Sequence, residues 1–219
     1  MTKYSGTLKM AVAGVAGLLW LTPAARAADG AWSTNSGGNW SNTAKWSGGV
    51  VADGAGSTAR FTVDITGNPT RVTNDAARTI GRLIFKDVNG AYAWSLEGNQ
   101  GLTLETTSGM PSIVNSNGLA CTTTIACPLA GTNGLSLPYG SVLFTRTNTY
   151  SGGTVIAGAL GATQARLGNN DTLGTGPITM QGGQICCHDA TSRTLTNALT
   201  LAGDVEMGFS TWTYVGALT

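Results

Sequence analysis

Gly101-Leu102-Thr103-Leu104 recurs 33 residues later as Gly134-Leu135-Ser136-Leu137, and Ala198-Leu199-Thr200-Leu201 follows after a further 64. Each tetrapeptide alternates an apolar side chain with a small polar one, the two-residue period of a half-buried strand. A strand so short cannot bury its apolar face alone. A repeat of roughly 20 to 50 residues is the mark of units that stack and close one another's core. The spacing therefore predicts a solenoid of short strands with a period near 33, with a β-sandwich as the alternative that short alternating strands also allow.

The surrounding sequence has the same character. Phe61-Thr62-Val63-Asp64-Ile65, Arg82-Leu83-Ile84-Phe85, Tyr92-Ala93-Trp94-Ser95-Leu96, Val142-Leu143-Phe144 and Thr154-Val155-Ile156 are β-type runs bounded by Gly, Asn, Asp or Pro. No segment after the first 27 residues sustains a 3.6-residue apolar period with caps, so the expected class is all-β. Only 11% of the chain is charged, against roughly 25% in ordinary globular domains, while Gly alone contributes 32 of 219 residues.

The first segment stands apart. Lys3 and Lys9 precede an uncharged run from Met10 to Leu21, and Pro23 precedes Ala25-Arg26-Ala27. This is the pattern of a secretory signal peptide, with cleavage expected between Ala27 and Ala28. The apolar run is well short of the roughly 20 residues that span a bilayer. Removal of residues 1–27 leaves nine basic and eleven acidic residues, a formal net charge of −2. No basic stripe remains for phosphates, so nucleic acid is not an expected partner. The expected organisation is a leader (1–27), a Trp-rich N-terminal cap region (28–58) and a β-strand solenoid (59–219) that is open or truncated at its C-terminus.

Candidate sites are few. Trp32, Trp40 and Trp46, three indoles in fifteen residues, form either a platform for stacking on sugar rings or a plug for the solenoid's N-terminal end. Cys121 and Cys127 bracket a short Thr-rich segment and are expected to form a disulfide in an oxidising compartment. Cys186-Cys187-His188-Asp189 carries metal-ligand chemistry but lacks zinc-site spacing, so no metal is expected. His188 is the sole histidine, and no catalytic serine, phosphate loop or metalloprotease motif accompanies it. Asp64 and Asp87, with Arg60, Arg71 and Arg82, are the densest carboxylate and arginine set, but they share no spacing near the repeat. No catalytic residue and no cofactor is assigned, and the alternative is a carbohydrate-active or carbohydrate-binding β-helix. Asn148, Tyr150, Gly152 and Gly153 read as turn chemistry, with Asn bonding its own backbone and Gly taking positive φ.

Asn148-Thr149-Tyr150-Ser151-Gly152-Gly153-Thr154-Val155-Ile156-Ala157-Gly158-Ala159-Leu160, followed by Leu173-Gly174-Thr175-Gly176-Pro177-Ile178-Thr179-Met180 and Gly182-Gly183, resembles the autotransporter-associated β-strand repeat. Leu137-Pro138-Tyr139 departs from the Lys and Gly usual in that family, and Ala162 to Arg166 adds length. The Trp-Ser-rich opener from Trp32 to Ser47 is similar to the start of passengers that carry such repeats. The resemblance implies a right-handed parallel β-helix, secreted or at the cell surface, with a structural or adhesive role. It implies association with the outer membrane only through a C-terminal translocator barrel absent from this sequence. Expected partners are a surface polysaccharide or a host or neighbouring cell surface, with self-association through an uncapped last coil running from Phe209 to Thr219. Amino-terminal sequencing of the exported protein should begin at Ala28; an intact Met1 outside the cytoplasm would contradict the leader.

Overall fold

The computed structural model describes residue 2 and residues 27–208, 212–214 and 216–219. The expected leader lies outside the described residues apart from Thr2 and Ala27, and Phe209 is likewise outside them. Strands β1 (Gly30–Ala31) and β2 (Gly38–Asn39) open the winding, followed by 3-10 turns at Thr43–Lys45 and Ser47–Gly49. Three coils follow: β3 (Thr58–Phe61), β4 (Thr70–Thr73) and β5 (Arg78–Ile80); β6 (Arg82–Phe85), β7 (Trp94–Glu97) and β8 (Leu102–Leu104); β9 (Ser112–Asn115), β10 (Thr123–Ala126) and β11 (Leu129–Ala130). A single bent strand, β12 (Leu135–Phe144), serves the next coil, and β13 (Thr154–Ile156) and β14 (Thr163–Leu167) the one after. The last coils are β15 (Ile178–Met180), β16 (Gly183–Cys187) and β17 (Arg193–Leu195), then β18 (Leu199–Leu201), β19 (Val205–Gly208) and β20 (Trp212–Tyr214).

Each strand pairs in parallel with its counterpart one coil away, which makes the molecule a parallel β-helix. The first sheet runs β1-β3-β6-β9-β12-β13-β15-β18 and the second β2-β4-β7-β10-β12-β14-β16-β19; β12 joins them by turning the corner at Gly140. The third side holds β5-β8-β11 and, further on, β17-β20. No α-helix occurs among the described residues.

Alternation sends every second side chain inward, and register stacks like on like. In the second sheet Val72, Leu96, Ile125, Phe144, Leu167 and Cys187 form one buried column through six coils. In the first sheet Phe61 and Phe85 stack with centroids 5.1 Å apart. Where that column reaches Asn115, the inward amide is buried and gives Nδ2 to Ser141 O (2.9 Å), while its Oδ1 takes Asn117 N (3.2 Å). A polar group survives inside because the loop's backbone satisfies it.

The 33-residue period is corrected by this register. Thr58 and its partner Arg82 are 24 residues apart, Arg82 and Ser112 30, Leu135 and Thr154 19, and Ile178 and Leu199 21. Leu102–Leu104 lies on the third side, whereas Leu135–Leu137 and Leu199–Leu201 lie in the first sheet. The repeated tetrapeptide marks strand alternation, which any side of the helix requires, and not position within a coil. The variable part is the corner between first and second sheets, where loops 62–69, 86–93, 116–122 and 157–162 are inserted and β12 has none.

The Asn148-to-Gly153 segment forms a corner whose bonds run between coils. Asn148 is buried; its Oδ1 accepts Leu129 N from the coil before (2.8 Å) and its Nδ2 donates to Thr172 O in the coil after (2.7 Å). It does not bond its own backbone, which corrects the local-turn reading. Tyr150 is fully buried, with its hydroxyl 2.7 Å from Thr154 Oγ1, which donates to Leu173 O. Burial pushes its phenol above the ordinary tyrosine value. Gly153 has φ +89°, and a Cβ on Gly152 would lie 2.3 Å from Thr132 O and 2.4 Å from Gly134 N. Both obstacles are backbone of the preceding coil and cannot swing aside. Gly152→Ala should therefore destabilise the fold by about 2–3 kcal/mol, read as a lower urea midpoint. Gly101→Ala, with nothing within 4 Å of its Cβ, should leave the midpoint nearly unchanged.

Candidate functional site

The three clustered indoles lie inside. Trp32, Trp40 and Trp46 are 1%, 0% and 2% exposed and pack edge-on and tilted against one another and Phe61 at centroid distances of 5.3–5.9 Å. Each indole N–H is spent on backbone: Trp32 on Ser36 O, Trp40 on Ala52 O and Trp46 on Trp40 O. No ring face is open to a sugar, so the stacking platform is corrected: aromatic area this large, with its N–H groups satisfied, is core. A polar latch crosses the cluster. Arg78 stands over the Trp40 ring and bonds Asp53 (3.0 Å) and Ser41 Oγ (2.6 Å), while Asp75 accepts Ser41 N and Oγ.

The cysteines stay unpaired, which corrects the expected Cys121–Cys127 bridge. Strand β10 lies between them, and six residue steps along largely extended chain hold the Cα atoms on the order of 15–20 Å apart, far beyond disulfide reach. Cys121 Sγ sits 3.0 Å from Gly90 O instead, and Cys127 points into the core, where burial pushes its thiol up to about 12. Cys186 and Cys187 are both buried, and alternation places them on opposite faces of the sheet, so the adjacent pair does not converge. His188 is exposed and uses its backbone N–H and C=O on Leu167 and Arg166, and Asp189 pairs with Arg193 at 3.1 Å. No set of three metal-ligating side chains gathers among the described residues.

Asp64 and Asp87 do come together, at the corner between first and second sheets. Asp87 is 1% exposed, and its two oxygens accept Ile65 N (3.0 Å), Ala91 N (2.8 Å) and Tyr92 N (3.0 Å). Asp64 is exposed and takes Asn89 Nδ2 on both oxygens at 2.8 Å. Arg71 pairs with Glu97 on the second sheet, and neither Arg60 nor Arg82 bonds either aspartate. Asp87 thus acts as a brace holding two loops, with each oxygen already accepting backbone N–H groups. A shallow depression of about 340 Å³ lined by Asn35, Ser36, Gly37, Thr66, Pro69 and Arg71 contains neither carboxylate.

The outward surface carries two features that residue-by-residue reading missed. Val88, Tyr92, Leu119, Tyr139 and Leu160 are 36–59% exposed and all belong to the corner between first and second sheets, in four successive coils. Arg60, Arg82 and Lys86 stand exposed on the outer face of the first sheet. Only strand phase, which is invisible until register is known, places either group together.

What the fold defines is a parallel β-helix. No family model matches the chain, and no solved structure matches it. Among curated proteins it is similar to the BmaC autotransporter adhesin of Brucella suis biovar 1 (strain 1330), with 32% identity over 182 residues covering 74% of this chain. The chain corresponds to about 5% of the length of that relative.

The brace makes stability pH-dependent. Burial raises the Asp87 carboxyl, but the backbone donors of Ile65, Tyr92 and Ala91 together outweigh it and hold the group below its ordinary value of 3.8. A depressed carboxyl contributes stability that is whole above about pH 5 and is lost as pH falls through its folded value. Thermal midpoints should therefore drop below about pH 4. Asp87→Ala should cost on the order of 2–4 kcal/mol at pH 7 and flatten that acid limb.

Proposed function

We propose that this chain is a β-helical segment of a surface-displayed, adhesin-type autotransporter passenger, with no catalytic chemistry of its own. The observation that carries the reading is the pairing of a parallel β-helix with 32% identity to an autotransporter adhesin over most of the chain. Such a segment acts through its outside: the interior is spent on stacked apolar columns, and the outward columns and corner loops are free to vary. The region 28–58 closes the N-terminal end of the core with its three indoles, because an uncovered apolar end invites association.

Fused upstream of an outer-membrane translocator barrel, the chain should be reached by externally added protease or antibody on intact bacteria. Its display should raise attachment to host or neighbouring cells at least several-fold over the barrel alone. A chain that stays inside the cell, or display without added attachment, would overturn the proposal.

A further inference from the structure

We propose that the outer face of the first sheet, centred on Arg60, Arg82 and Lys86, binds the sulfate groups of a sulfated polysaccharide; this names a partner for the surface-adhesion reading and rests on it. Of the seven described arginines, five have partners: Arg71 with Glu97, Arg78 with Asp53, Arg193 with Asp189, Arg146 with Asn99 Oδ1 and Ala126 O, and Arg166 with His188 O. Lys45 holds Ser36 Oγ. Arg60, Arg82 and Lys86 are the described cations whose side chains make no hydrogen bond or ion pair to the described residues, and all three project from one face.

Register brings them together. Arg60 lies opposite Ile84 on the neighbouring strand, and Arg82 and Lys86 flank Ile84 two residues to either side. With strands about 4.8 Å apart and alternate residues about 6.6 Å apart along a strand, the cations surround one half-buried isoleucine at spacings of roughly 5–8 Å. Their stems cover it and their charges stand in solvent. None of the strands β3, β6, β9, β12, β13, β15 and β18 contains an acidic residue, although the chain has eleven. The carboxylates at the border are engaged by neutral donors, Asp29 by Thr58 N and Asp64 by Asn89 Nδ2. With three cations and no acidic residue on its strands the face is locally cationic, on a chain whose formal charge is +1 whole and −2 without residues 1–27.

Beside the cations runs a column of hydroxyls. Arg82, Ser112 and Ser136 are successive register partners, and the column continues through Val155 to Thr179 and Thr200. Guanidinium forks match flat or tetrahedral oxyanions and hold little water of their own, and serine hydroxyls suit sugar hydroxyls and sulfate oxygens. An exposed sheet face admits a linear chain lying across the strands. These features favour a sulfated sugar polymer; Tyr139, register partner of Val114 in the column of Ile84, gives the face one exposed ring, so single-stranded DNA is included in the test to separate base stacking from sulfate recognition.

The test is affinity of the full exported chain for immobilised heparin, used as the probe. At 0.1 M NaCl the protein should be retained. From 0.05 to 0.2 M its affinity should fall roughly 10- to 50-fold, as release of counterions by three contacts requires. Arg60→Gln/Arg82→Gln/Lys86→Gln should abolish retention, whereas Arg146→Gln, removing a partnered arginine on another face, should retain it. Chemically desulfated heparin should not bind. No retention of the wild type at 0.05 M NaCl, equal retention of the triple variant, or equal binding to desulfated heparin or single-stranded DNA would each overturn the assignment. Cell attachment by the displayed protein separates the two readings. Attachment unaffected by the triple variant sinks the sulfate face and leaves adhesion standing. Heparin binding without attachment sinks adhesion and leaves the face.

Discussion

In-register parallel hydrogen bonding between successive coils is the constraint on which the rest of the molecule depends. It fixes coils about 4.8 Å apart, so anything that enters a corner must fit between two neighbouring backbones. Gly152 is there because Thr132 O and Gly134 N already occupy the volume of a Cβ. Asn148 is there because the ladder lapses at a corner, and its amide supplies a donor and an acceptor to the coils on either side. The same spacing stacks Phe61 on Phe85 and runs Val72 to Cys187 through one column. Cooperativity follows, since each coil completes its neighbour's hydrogen bonds and half of its core.

Strand character was legible in the sequence and coil position was not. Gly-Leu-Thr-Leu announces alternation, and alternation is required on all three sides, so two copies of the tetrapeptide on different sides give a spacing with no structural meaning. True register partners lie 19 to 34 residues apart because corner loops differ in length. Asn148 and Gly152-Gly153 stand out in the sequence, but their partners are distant along the chain, and a local turn was the only account available from the residues alone. Cys121 and Cys127 failed for a related reason: closeness in sequence along a strand is distance in space. The three indoles were ambiguous because aromatic residues serve both core and platform, and only burial separates the two.

Corner loops separate a buried brace from exposed tips. Asp87 gives both oxygens to backbone N–H groups of loops 62–69 and 86–93, and Asn117 in turn accepts the N–H of Asp87 from the coil beyond. These loops stack as the strands do, with side chains standing in for the missing ladder. Once their backbones are braced from within, their tips are released from folding duty. Val88, Tyr92, Leu119 and Leu160 stand at those tips, and Tyr139 stands beside them at the bend of β12.

The division between inside and outside explains why function is harder to read here than fold. Inward positions must be apolar, so their pattern betrays the strand; outward positions need only be soluble, so almost any residue is admitted and none is diagnostic. A register slip of one residue would exchange the two sets, turning Arg60 and Arg82 into the core and Phe61 and Leu83 to solvent. Burial of the phenylalanines, leucines and isoleucines therefore fixes where the cations stand. The cost of burying an unpaired arginine keeps that phase locked, so the pattern that closes the core also gathers three unpaired charges on one face. In a β-helix the recognition surface is set by the same alternation that builds the interior, one residue out of step.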